Sequence, residues 1–193
     1  MRKNDALADL MADSRVITAM ENPYLKTERL TLRRWRGEDR MPFAAICADA
    51  EAMRFIGDGS TRTAEQASRA IDHFEREWEE RGFGLFAVEL NETGALMGFT
   101  GLSRPDFLPE VLPSVEIGWR FAKLHWGNGY ASEAAAQALS FGVTTLGIAD
   151  IISICQVGNG ASKRIMQKLG MRFDRHAVDP TCNREVEVYR LPK

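Results

Sequence analysis

The chain is 193 residues long, 45% apolar and 27% charged, an ordinary globular balance that excludes a disordered tail, a collagen-like repeat and a disulfide-dense miniprotein. Lys and Arg number 25 against 27 Asp and Glu, a net charge of −2; no global field holds nucleic acid or anionic lipid, so any anion must be bound locally. The longest uncharged run, Ala134 to Ala149, is too short and too polar to span a bilayer, the charged first 22 residues lack the apolar centre of a signal peptide, and Cys47, Cys155 and Cys182 fit neither a disulfide framework nor a metal site. These features predict a reduced, cytoplasmic protein of one domain over residues 23–193, preceded by a short extension over 1–22.

In chain order, the extension ends at Asn22-Pro23. Leu30, Leu32 and Trp35 alternate with polar residues as a half-buried strand. A helical period runs from Glu38 to Phe55 and closes at Gly57-Asp58-Gly59-Ser60. Thr63 and Gln66 form a capping box, and Ala67, Ala70, Ile71, Phe74 and Trp78 carry the following helix to Arg81-Gly82. Phe83 to Leu90 and Ala95 to Leu102 read as a hairpin around Asn91-Glu92-Thr93-Gly94. A proline-bearing loop then leads to a strand over Ser114 to Phe121, and Gly127-Asn128-Gly129 opens a helix over Tyr130 to Thr145. Ile148 to Cys155 predicts a buried strand and Asn159 to Leu169 a helix; Val178 and the run Val186, Val188, Leu191 predict a closing antiparallel pair. Helices alternate with strands while hairpins interrupt the crossovers, so the fold class is α/β with a mixed sheet.

Two segments carry chemistry. In Val115-Glu-Ile-Gly-Trp-Arg-Phe-Ala-Lys-Leu-His-Trp-Gly-Asn-Gly-Tyr-Ala-Ser-Glu133, a strand runs through a glycine-punctuated loop directly into a helix. Gly127 and Gly129 permit positive φ and close approach of a ligand to the backbone. The first helical turn adds unpaired N–H groups and the positive end of the dipole, a combination that binds pyrophosphate. Spacing alone leaves both a tight turn and a phosphate cradle open. The second segment, Asn159-Gly-Ala-Ser162 with Lys168-Leu-Gly170, reads by itself as a capped helix with a glycine stop.

Together with Gly82-Phe-Gly-Leu-Phe-Ala-Val-Glu89 and Met97-Gly-Phe-Thr-Gly-Leu102, these segments resemble the GNAT N-acetyltransferase superfamily, in its RimJ/RimL-like branch, over about residues 27–191. The resemblance implies a mostly antiparallel twisted sheet of about seven strands with helices on both faces. It also implies acetyl-CoA as co-substrate, no metal, an amine acceptor (a peptide N-terminus or a small molecule), and a monomer or homodimer. The family's pyrophosphate loop maps onto Trp126, Gly127, Asn128, Gly129, Tyr130, Ala131 and Ser132; Asn159 and Ser162 match its contacts to the pantetheine arm, and a backbone N–H near Trp119 to Phe121 matches the group that polarises the acetyl carbonyl. The strands Ser114–Phe121 and Ile148–Cys155 are expected to diverge at their C-terminal ends to admit that arm.

The resemblance makes Glu116 the candidate base, since an ammonium must lose a proton before it attacks a thioester. The competing reading is an exposed strand residue or a partner for Arg120. His125 is the runner-up. The family's general-acid tyrosine is replaced by Met166, leaving the thiolate to depart unprotonated or to use water, Tyr130 or Tyr189. The same replacement favours the alternative of a CoA-binding module without transferase activity. The loop Ser103 to Pro113 and the helical region 39–81 are expected to form the acceptor side, with Asp106 and Glu110 available to attract a cationic acceptor.

Overall fold

The computed structural model describes residues 24–192; the expected extension over 1–22 lies outside them. Eight strands form one sheet in the order β1-β2-β3-β4-β5-β6-β8-β7. They span Leu25–Lys26 (β1), Leu30–Arg33 (β2), Leu85–Leu90 (β3), Leu96–Ser103 (β4), Val115–Phe121 (β5), Ile151–Gln156 (β6), Arg172–Asp179 (β7) and Arg184–Arg190 (β8). All neighbours pair antiparallel except β5 and β6. The mixed, mostly antiparallel sheet expected from the sequence is present, with β1 added as a two-residue edge piece.

Among the described residues five α-helices cover the sheet: α1 (Arg40–Ala48), α2 (Ala50–Met53), α3 (Ala64–Arg81), α4 (Tyr130–Ser140) and α5 (Gly160–Lys168). The alternation of β3 separates two cores. Phe86 and Val88 pack with Ala134, Ala135 and Ala138 of α4 and with Met166 of α5. Leu85 and Ala87 pack on the opposite face with Phe43 of α1 and Ala67 and Ile71 of α3. Trp35 anchors that second core, with rings of Phe43, Phe74 and Phe99 between 5.0 and 6.4 Å from it and its indole N–H donating to the Leu85 carbonyl.

The local signals explain the element ends. Thr63 and Gln66 exchange their hydrogen bonds at 2.8 and 3.2 Å at the start of α3, and Gly82 ends it in the left-handed region at φ 72°. Two expectations change. The helical stretch 38–55 breaks at Asp49, which adopts an extended backbone and turns its carboxylate onto the N–H groups of Glu51 and Ala52, starting α2 as a new helix. The helix expected to reach Thr145 ends as α4 at Ser140, and 141–145 form a wider helical turn in which the Thr144 hydroxyl bonds back to the Ser140 carbonyl, a competition typical of Ser and Thr.

Candidate active site

The parallel ladder between β5 and β6 is two pairs long, Val115 with Ile151 and Glu116 with Ile152. Beyond it β5 remains bonded to β4 as far as Phe121, while β6 continues against β8 as far as Gln156. The strands therefore part at their C-terminal ends. The Val115 N–H bonds toward β6, to the Asp150 carbonyl, and the Ala122 N–H bonds toward β4, to Met97. Strand alternation then turns the N–H groups of Trp119 and Phe121 into the opening. On the other lip, the outward bonds of Ile151 and Val157 to β8 leave the Ile154 N–H facing β5.

A cleft of about 480 Å³ runs through this opening. On the α4 side it is lined by Trp126, Gly127, Gly129 and Tyr130 to Ser132, with Asn159 and Ser162 across from them; Trp119 and Phe121 form its floor. On the α1 side Glu51 to Ile56 and Arg120 line it, except that Met53 is buried beneath. Of the helical region 39–81, only Glu51 to Ile56 thus contribute to the second wall. The loop 103–113 does not: Leu108 and Val111 are buried against Ile152, Val186 and Val188, and Asp106 is paired with Arg81 and Arg104.

Gly127 and Gly129 both sit at φ 82°, with Gly129 as the N-cap of α4. A Cβ at Gly127 would meet nothing within 4 Å, and one at Gly129 only the Arg29 guanidinium at 3.6 Å. The first backbone bond of α4 to the loop is made by Glu133, and among the described residues no hydrogen bond takes up the N–H groups of 127–132. This is an open rim of donors at a helix start, suited to an anion and permitted by the two glycines. Trp126 fixes the rim to β5 by donating its indole N–H to the Phe121 carbonyl at 2.8 Å. Asn128 lies outside the cleft lining; its amide braces the loop through the carbonyls of His125 and Trp126. Arg29, which the sequence reading did not single out, stacks on Tyr130 at 4.4 Å and is paired with Glu133. Asn159 caps α5, its side-chain oxygen accepting from the Ser162 N–H at 3.2 Å, and still lines the cleft.

Glu116 does not line the cleft itself. It stands on the α1 face of β5, opposite the Val115, Ile117, Trp119 and Phe121 side chains that pack toward α4. Its register partner Ile152 belongs to the apolar cluster under the loop 103–113. Burial pushes its carboxyl up to about 8, against the opposing pull of the Ile154 N–H. Among the described residues it forms no ion pair with Arg120; four residues along a strand separate the two Cα atoms by roughly 13 Å. Burial lowers His125, whose ring meets Tyr130 edge-on. Met166 is fully buried in the core beneath α5, so that position does not face the cleft. Tyr189 is buried as well, which leaves Tyr130 as the phenol on the lining.

The profile of the acetyltransferase (GNAT) domain matches residues 29–172. The chain belongs to the GNAT acetyltransferase family. It is 30% identical over 150 residues to the uncharacterized N-acetyltransferase YoaA of Bacillus subtilis, covering 78% of this chain and 83% of that protein. It is 31% identical over 188 residues to the FsC-acetyl coenzyme A-N(2)-transacetylase of Aspergillus fumigatus, covering 89% and 77%. Among solved structures, an acetyltransferase from Agrobacterium tumefaciens superposes with a TM-score of 0.75 at 27% identity, over 89% of this chain and 95% of that one. The RimL ribosomal-protein acetyltransferase, solved with coenzyme A, shares the fold at 12% identity and a TM-score of 0.69, over 86% and 96%. As a GNAT protein the chain is an acetyl-CoA-dependent acetyltransferase. Among the described residues no group of three or more His, Cys, Asp or Glu is placed to hold a metal ion, and no helix is long and apolar enough to cross a membrane.

Proposed function

We propose that this GNAT protein transfers the acetyl group of acetyl-CoA to a primary amine by direct attack in a ternary complex. The observation that carries the reading is the cleft through the β5/β6 opening, with a rim of unclaimed amides on one side and the wall of Glu51 to Ile56 with Arg120 on the other; Glu116 stands on β5 behind that second side. In this reading the N–H groups of 127–132 hold the pyrophosphate, while the open Cβ positions of Gly127 and Gly129 leave room for it. Asn159, with its oxygen committed to the cap, offers its amide N–H groups to the pantetheine arm beside Ser162. The Trp119 and Phe121 N–H groups flank the acetyl oxygen and stabilise the charge that develops there.

Glu116 takes the proton that the attacking nitrogen sheds as the new N–C bond forms and the C–S bond breaks. A base near pH 8 suits an α-amine, whose ordinary pKa is about 7.7–8.0, so the transfer is close to thermoneutral. The departing thiolate needs no phenol at the Met166 position: a thiol of pKa about 8.5 is a competent leaving group near neutrality and takes its proton from water. Thiol release from acetyl-CoA across a panel of amines, with intact-mass detection of the acetylated product, tests this function. Binding of CoA with no acetylated product from any amine would instead assign a CoA-binding module.

A further inference from the structure

On β5, Glu116, Gly118 and Arg120 share the α1 face. A Cβ at Gly118 would meet nothing within 4 Å, so this face has an open notch one step from the base. At the next step lies Arg120, which lines the cleft. Its Nε is fully buried without a hydrogen-bond partner. One guanidinium nitrogen, Nη1, reaches the Cys47 sulfur at 3.6 Å, and the group lies over the Phe99 ring at 5.2 Å. None of the ion pairs among the described residues includes it. Cys47 brings no negative charge, because burial raises its thiol, and Arg62 adds a second positive charge nearby.

A largely enclosed guanidinium without a carboxylate is costly to keep, and the part of its planar fork that faces the cleft fits a carboxylate. The phosphates of CoA belong to the amide rim on the opposite face of the sheet, so the missing anion comes from the acceptor side. We propose that the acceptor is a small α-amino acid, whose carboxylate is anchored by Arg120 while its amine reaches the acetyl group through the Gly118 notch. This deepens the acetyl-transfer reading and rests on it.

The test compares free α-amino acids with their primary amides as acceptors, by thiol release, in wild type and Arg120→Gln. Wild type is expected to favour the acid over its amide by about a hundredfold in kcat/KM, because a site built around a charged partner rejects the analogue lacking it. In Arg120→Gln that ratio collapses to within about threefold, while the thermal shift given by CoA is retained. Wild-type preference is read without any variant, so the proposal remains open to refutation if Arg120→Gln does not fold; Gly118→Val, placed in open space, then supplies a folded protein that binds CoA but loses transfer to amino acids. Equal use of acid and amide by wild type overturns the anchor and leaves acetyl transfer standing. An Arg120→Gln protein that keeps the hundredfold preference also overturns it. Failure of every amine, acid or amide, overturns the acetyl-transfer reading itself.

Discussion

Glu116→Gln separates the cost of burying this carboxyl from its part in chemistry. The folded chain holds the Glu116 proton up to about pH 8, whereas an unperturbed Glu releases it at 4.5. Between those two values the folded state binds more protons than the unfolded state, so stability falls as pH rises through the window and levels off above it. At about 1.4 kcal/mol per unit the shift sets an upper bound, and because Glu116 keeps partial solvent contact the effect at full ionisation is on the order of a few kcal/mol. Gln keeps the shape of the neutral acid and cannot ionise. The variant should match wild type near pH 4–5 and exceed it progressively toward pH 9. Urea unfolding of both proteins without ligand, at unit steps from pH 5 to 9, reads the difference directly. Other titrating groups, including His125 with its lowered pKa, are common to both and cancel. Parallel curves across the range would refute the burial of Glu116 as a charge-disfavouring environment.

Three further outcomes follow from the cradle and the core. CoA at a hundred times its Kd should stabilise wild type by about 2.7 kcal/mol, and Gly129→Val should abolish that thermal shift, since a β-branched residue disfavours the φ of 82° at the N-cap and would disturb the rim of amides proposed to hold the pyrophosphate. Asn159→Ala should cost about 1 kcal/mol of stability through the lost cap and, in calorimetry, weaken CoA binding by roughly tenfold; an unchanged Kd would leave Asn159 as a cap only. Met166→Tyr should not raise the rate, because the side chain is fully buried, and should cost about 1–3 kcal/mol by overpacking; a faster enzyme in the same thiol-release assay would contradict the placement.

Elements fixed by local chemistry were legible in the sequence. The capping box at Thr63 and Gln66, the stop at Gly82 and the turn at 91–94 each act within a few residues, and the structure shows them with their hydrogen bonds or positive φ. The edge strand β7 was legible only through Val178, because most of its residues are exposed and carry no alternating apolar signal. The break at Asp49 was hidden by a helical period that continues on both sides of it. At the site, the glycine rim could be read from Gly127 and Gly129, but the state of Arg120 could not. Its proximity to Glu116 in sequence suggests a pair, whereas strand geometry places the two far apart and folding brings Arg120 to Cys47 and Phe99, 73 and 21 residues away in the chain. The loop 103–113 was misplaced for a related reason: its prolines mark it as a loop, and only the tertiary fold shows Leu108 and Val111 plugging the sheet beside β6 and β8.

The central claim, that the β5/β6 opening presents a thioester to an amine whose proton passes to Glu116, is tested most directly by the pH profile of kcat/KM for wild type and Glu116→Gln with the preferred amine. Wild-type activity should rise through about pH 8, where Glu116 ionises. The variant should bind CoA with unchanged affinity, lose about 10²–10⁴-fold in rate at pH 7 and recover part of it at high pH, where more of the amine is already neutral. A Glu116→Gln enzyme within about threefold of wild type from pH 6 to 9 would contradict the account, leaving proximity alone to drive the transfer.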